Sequence, residues 1–233
     1  MGTLSLVISI LVFVAVASAR KAGANNVHTE TYTSKGVPAF VINRDSRPDR
    51  LQRFLNQRGL AGLEVIRFKA IEISPEETPP VEAAGRLTRG ELGCFKSHMK
   101  IWHKVVNERI EEALVFEDDA NVQGVNIVKA LGSCRSQLPQ GWHIIFLGVN
   151  YFQKENDVND CFVKQKQGSY GSHAYMVNRS GAARLLRSVE RNGITMPVDI
   201  FLSSPACECA YFLLRGNNVK PFNLSDTDTQ RLR

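Results

Sequence analysis

The sequence predicts an α/β layer sandwich, with a mostly parallel sheet and helices on both of its faces. Three observations predict it. Short apolar runs alternate with amphipathic segments, the signature of βα units. A chain of 233 residues can bury a full core in one domain. Seventeen Gly and nine Pro beside 43% hydrophobic residues are ordinary usage, which excludes collagen-like and low-complexity chains.

Leu4 to Ala19 is apolar and uncharged, and Arg20-Lys21 ends it. Its helical length of about 24 Å falls short of a bilayer core, and Ala17-Ser18-Ala19 has the small-x-small form of a cleavage site. Residues 1–19 therefore read as a secretory signal peptide, the alternative being a retained signal-anchor, and only in that case would the protein touch a membrane. Residues 20–36 are a polar, unstructured lead-in, and 37–233 form the domain.

Pro38 to Ile42 is a buried strand by its apolar run. Pro48 then opens a helix with Leu51, Phe54 and Leu55 on one face. Val65 to Ile71 is a strand that alternates poorly, and 75–80 is a loop. Leu92, Phe95, Met99, Trp102, Val106 and Ile110 recur at spacings of three and four, which defines a helix over Glu91 to Ile110. Trp102 and Tyr175 belong to apolar periodicities and read as core. Gly90 and Gly93 leave backbone bare for a close approach. Ala113 to Phe116 and His143 to Leu147 are strands, 150–168 a polar surface loop, Ala174 to Val177 a strand, and Gly181 to Val189 a helix.

Five cysteines in an exported chain leave one free thiol or an intermolecular bond, and with no CxxC pair among them a zinc site is not expected. Cys94, inside the apolar-periodic helix, is the expected buried free one. Cys134, Cys161, Cys207 and Cys209 allow three pairings, and adjacency of Cys207 and Cys209 disfavours a bond between them. Asn178-Arg179-Ser180 and Asn223-Leu224-Ser225 are glycosylation sequons. The net charge of +6 suits anionic partners. No basic stripe with interleaved aromatics accompanies it, so nucleic acid is not expected as a partner.

Chemistry should collect at the carboxyl ends of strands. Two polar clusters fall there: Asn43-Arg44, and Glu117-Asp118-Asp119 after the strand at 113–116. Three adjacent carboxylates repel unless a cation or hydrogen bonds compensate. If the strand continued, Glu117 and Asp119 would share a side, opposite Asp118. Oxygen-only ligands suit Mn²⁺ or Mg²⁺ bound together with phosphate; the competing reading is an acidic loop capping the next helix.

The surrounding sequence resembles glycosyltransferase family 25. Phe40 to Arg50 is similar to that family's "INLxxRxxR" block, Leu87 to His98 to its "GExGCxxSH" block, and Leu114 to Ala120 to its "EDDA" block. Gly171 to Leu186 resembles its "aY…GA…LL" segment and Pro197-Val198-Asp199 its "xxD" element. The resemblance implies a GT-A type, Rossmann-like domain and a UDP-sugar donor, UDP-galactose first. It also implies Mn²⁺ assistance, inversion at the anomeric carbon, and a glycan or glycoprotein acceptor reached in the secretory pathway. On it, Asn43, Arg44 and Arg47 lie near the nucleotide, Ser97 and His98 border the donor sugar, and Glu117, Asp118 and Asp119 hold the metal, with Asp119 also counted as catalytic. Asp199 is the candidate general base, against a reading as a helix cap. Glu72 stands where the family has a shorter acid or amide, and the stretch after Asp226 suggests a shorter acceptor side. The alternative function is an inactive relative that binds sugar or protein.

Overall fold

The computed structural model describes residues 37–76, 87–149, 151, 154–166, 170–204, 210–213 and 220–221. The expected leader, the lead-in, Cys207, Cys209 and the Asn223 sequon lie outside them. Among the described residues, no helix is long and apolar enough to cross a membrane.

The elements run β1 (Ala39–Asn43), α1 (Pro48–Leu55), β2 (Val65–Lys69), α2 (Arg89–Asn107), β3 (Glu112–Glu117), β4 (Ala120–Asn121), α3 (Ile127–Cys134), β5 (Ile144–Gly148), β6 (Lys154–Asp157), β7 (Phe162–Gln165), β8 (Ala174–Asn178), α4 (Arg179–Asn192), α5 (Val198–Leu202), β9 (Ala210–Leu213) and β10 (Lys220–Pro221). Eight strands form one sheet in the order β2-β1-β3-β8-β5-β9-β7-β6, and β4 pairs with β10 apart from it.

Strand alternation builds two cores. Phe40, Ile42, Val115, Ile144, Phe146, Tyr175 and Val177 face α2, α4 and α5. Ala39, Val41, Leu114, Phe116, Ile145 and Met176 face the other way, onto Phe54 of α1 and Ile127 and Leu131 of α3. The α/β class with helices on both faces is therefore as the sequence predicts. Central strands carry apolar residues at every position because both faces are covered.

Strand direction is more mixed than expected. Pairs β1–β2, β1–β3 and β5–β9 are parallel, whereas β3–β8, β5–β8, β7–β9 and β6–β7 are antiparallel. Only the β2-β1-β3 end is a parallel block. Part of the expected loop at 150–168 is in fact the antiparallel pair β6–β7: the polar residues of β6 suit a sheet edge, while Phe162 and Val163 of β7 are buried. Strand β2 alternates poorly because it is the opposite edge, and its exposed Arg67 donates to Asp45 Oδ1 at 2.6 Å. On α1, Phe54 and Arg50, four residues apart, share the inward face, while Leu55 is 43% exposed.

Two covalent expectations resolve. Cys134 at the end of α3 is bonded to Cys161 beside β7, and Cys94 is free and half-buried against the core. The bond closes a 27-residue separation, so the Cys134→Ser/Cys161→Ser pair is expected to cost about 3 kcal/mol. Urea denaturation reads this, and an unchanged midpoint would contradict it. The Asn178 sequon is a helix cap: Oδ1 accepts from Gly181 N at 2.7 Å, and Nδ2 donates to Trp142 O.

Candidate functional site

Between β1 and β3 the chain order reverses, since β2 lies on one side of β1 and β3 on the other. Ligands favour such switch points, outside the carboxyl ends of the strands. A cleft of about 170 Å³ opens there. It is walled by Ile42, Asn43 and Arg44 at the end of β1, Ala70 to Ile73 after β2, the first turns of α2, and Glu117 to Asp119 at the end of β3.

The floor is a buried ion cluster. Arg50 reaches up from α1, and its Nη2 lies 2.7 Å from Asp118 Oδ1 and 2.8 Å from Asp119 Oδ2. Asn43 donates from Nδ2 to Asp118 Oδ2 at 2.7 Å and to Arg47 O at 2.8 Å, while its Oδ1 accepts from Arg67 Nε at 3.0 Å. Both Asp118 oxygens are thereby engaged. Asp119 Oδ1, by contrast, is buried with no hydrogen-bond partner. Burial first, and the charge of Glu117 next, push the Asp119 carboxyl up to about 7 against the pull of Arg50.

Glu117 belongs to a different neighbourhood. Its Oε1 accepts from Ser172 Oγ at 2.5 Å and lies 3.4 Å from His98 Nε2. Burial would raise this carboxyl, but the facing His98 and the Ser172 hydroxyl hold it below the usual carboxylate range. The strand ends at Glu117. In the turn that follows, Asp118 and Asp119 both meet Arg50, so the side-to-side alternation expected of a continuing strand does not hold.

The second wall comes from α2, whose start is fixed by a capping box: Thr88 Oγ1 accepts from Glu91 N at 3.1 Å, and Glu91 Oε2 accepts from Thr88 N at 2.8 Å. Ser97 donates to Gly93 O at 2.7 Å and accepts from Ile71 N at 2.8 Å, pinning the loop after β2 onto the helix. What approaches Gly93 so closely is this loop, since a Cβ there would lie 2.5 Å from Ile71 O. Gly93→Ala is therefore expected to cost about 1–3 kcal/mol through forced separation of loop and helix. A thermal midpoint equal to that of the parent would refute this.

Most expected site residues thus converge. Asn43, Arg44, Glu72, Ser97, Glu117, Asp118 and Asp119 line the one cleft, with Arg44 and Glu72 paired across its rim at 2.8 Å. His98 is fully buried behind the wall, with Nδ1 2.9 Å from Tyr175 Oη. Arg47 does not line the cleft; at the cap position of α1 it pairs with Asp49 of the first turn at 2.9 Å. Asp199 also stands off the lining, inside α5, where Pro197 takes the cap position. Burial, and further the charge of Glu117, push its carboxyl up, so it shares the field of the site. Sequence reasoning missed Arg50 and Arg89, which also lines the cleft. The signal for Arg50 was the three-residue spacing from Arg47, repeated in the block quoted above.

Comparison with known proteins adds an independent line. The family model described as "Glycosyltransferase family 25 (LPS biosynthesis protein)" matches residues 37–202. The chain is 32% identical over 186 residues to the human inactive glycosyltransferase 25 family member 3. It is 30% identical over 183 residues to a glycosyltransferase 25 family member of Drosophila pseudoobscura pseudoobscura, and 29% identical over 184 residues to human procollagen galactosyltransferase 2. Each alignment covers 70% of this chain, which spans about three-tenths of the relatives' length (29% or 30%). Among solved structures, the crystal structure of A197 from STIV is similar at a TM-score of 0.41 and 13% identity, over 76% of this chain and 81% of that one.

Proposed function

The chain belongs to glycosyltransferase family 25, and from that premise we propose that its cleft transfers a hexose, galactose first, from a UDP-sugar to a hydroxyl of a glycan or glycoprotein. The observation that carries the reading is the buried Asp119 Oδ1 left without a partner at the switch point. A carboxylate oxygen in that state is stabilised by a cation. The residues fit a hard divalent ion, Mn²⁺ or Mg²⁺: Asp119 and Glu117 offer oxygen atoms toward one cleft, while Asp118, spent on Arg50 and Asn43, fixes the turn. When bound, such an ion supplies Lewis-acid stabilisation of the charge on departing UDP.

The chain's own residues do the rest. Arg44 and Arg89 line the cleft and present guanidinium groups to a diphosphate. Asn43 and Arg50 hold the acidic turn in place. Asp199, off the cleft lining and with its carboxyl raised by burial, is the candidate general base of a single inverting displacement, a role that requires the acceptor hydroxyl to reach it from beside the cleft. The Cys134–Cys161 bond supports an oxidising, secretory-pathway compartment.

A second reading has its own support: an inactive, ligand-binding relative. Arg50 already neutralises two of the three acids, and one of the similar human proteins is named inactive. Donor profiling separates the two. Purified protein with Mn²⁺ is incubated with each common nucleotide sugar, and UDP release is measured. Preferential turnover of UDP-galactose supports transfer, and no turnover of any donor leaves only binding.

A further inference from the structure

Behind the carboxylate floor lies a second group of ligand atoms with different chemistry. Cys94 and His98, four residues apart on α2, project from one helical face toward Glu117 at the end of β3. Cys94 Sγ, a His98 ring nitrogen and a Glu117 oxygen all lie within 4.8 Å of one another. His98 is fully buried, and its Nε2 has no hydrogen-bond partner. The 3.4 Å from Nε2 to Glu117 Oε1 is long for a hydrogen bond. It is, however, close to the edge of a tetrahedron whose centre sits about 2.1 Å from each ligand atom.

The surroundings orient the imidazole as a metal site would. Trp102 Nε1 donates to Tyr175 Oη at 3.0 Å, and Tyr175 Oη lies 2.9 Å from His98 Nδ1. An indole only donates and a phenol oxygen has two lone pairs, so Oη can accept from Nδ1–H as well. In the tautomer with its proton on Nδ1, the Nε2 lone pair is aimed at the cluster and the opposite ring nitrogen is held by a neighbour, the usual second shell of a metal-bound histidine. Ser172 Oγ anchors Glu117 in the same way at 2.5 Å.

We propose that Cys94, His98 and Glu117 form a site for a thiophilic divalent cation of the zinc class, with a fourth position open to the cleft. Cys94 lines that cleft, so the ion has an entry path. Thiolate and imidazole select zinc-like ions, whereas the oxygen atoms of Asp119 suit manganese or magnesium. Binding releases the thiol proton and any proton on Nε2 to solvent. Glu117 belongs to both sets, so zinc held here withdraws it from the acidic triplet and opposes hard-cation binding. The site does not depend on the transfer reaction.

Cobalt is the probe. The full chain, stripped with chelator, is expected to take up one Co²⁺ with a thiolate-to-cobalt charge-transfer band in the near ultraviolet, displaced by Zn²⁺. Cys94→Ser should lose the band and Asp119→Asn should keep it. Alkylation of Cys94 by iodoacetamide, followed by peptide mapping in the unaltered chain, guards against a variant that fails to fold. Zinc should slow it at least about tenfold near ten times its dissociation constant, and manganese should not. A band that survives Cys94→Ser, no band at all, or equal protection by both ions overturns the site. A chain that passes these tests yet turns over no nucleotide sugar upholds the site and removes only the transfer reading.

Discussion

Asp119→Asn is expected to reduce nucleotide-sugar turnover by at least about a hundredfold, the usual scale for losing one preorganised electrostatic group, while raising the stability of the fold. The two effects share a cause. Asp119 is 5% exposed, one oxygen has no partner, and burial with the charge of Glu117 holds the carboxyl up at about 7 instead of 3.8. A raised acid is a liability to the unliganded fold. Its contribution to stability is fully present below about 3.8 and is lost as pH rises through about 7, because over that window the folded chain holds a proton that the unfolded chain has released. The loss is on the order of 4 kcal/mol. Glu117 runs the opposite way: its carboxyl is held down, so its contribution is present above 4.5 and fades as pH falls. The neutral amide of Asp119→Asn removes the first effect and leaves the second. Urea denaturation across pH 4 to 8 should therefore show the parent weakening toward neutrality and the variant, which keeps the raised Asp199 carboxyl, weakening distinctly less. A variant less stable than the parent at pH 7 would contradict this account of Asp119.

Arg50→Met should be the most destabilising single change at the site, costing about 3–5 kcal/mol at pH 7. The guanidinium is 5% exposed and neutralises both Asp118 and Asp119 from one nitrogen. Removing it leaves two buried carboxylates without their shared guanidinium, although Asn43 still donates to Asp118. At pH 5 the loss should shrink, since Asp119 then carries its proton, and Arg50→Lys should recover part of it. A loss below about 1 kcal/mol at pH 7 would mean that the cluster is effectively solvated. Stability and function pull on the same cluster: Arg50 holds the acids together, and Asp119 keeps an oxygen unsatisfied.

The sequence exposed the elements whose periodicity is decided locally. The runs at β1, β3 and β5 are apolar throughout because helices cover both sheet faces, and α2 shows its inward stripe from Leu92 to Val106. Strand direction was not legible, because β8 has the same apolar run whether it lies parallel or antiparallel to β3. The β6–β7 pair was hidden by the polar residues of the edge strand β6 and by the brevity of the apolar Phe162-Val163 step in β7. Within the site, the acidic triplet and Asn43 could be placed from strand ends alone. The burial of Arg50 could not, because an arginine on a short helix ordinarily reads as solvent-facing. Only the tertiary pairing with a turn 68 residues later reveals it. Ser97 shows the converse case: it lies in a block associated with the donor sugar, yet its hydroxyl is used between Ile71 and Gly93.

The central claim is that the carboxylates of Glu117 and Asp119 grip a hard cation against a nucleoside diphosphate. Isothermal titration of the chain with UDP, with and without Mn²⁺, tests it most directly. The account predicts saturable heat that requires Mn²⁺ in the parent and vanishes in Asp119→Asn. Manganese-independent UDP binding, or binding that persists unchanged in that variant, would contradict it.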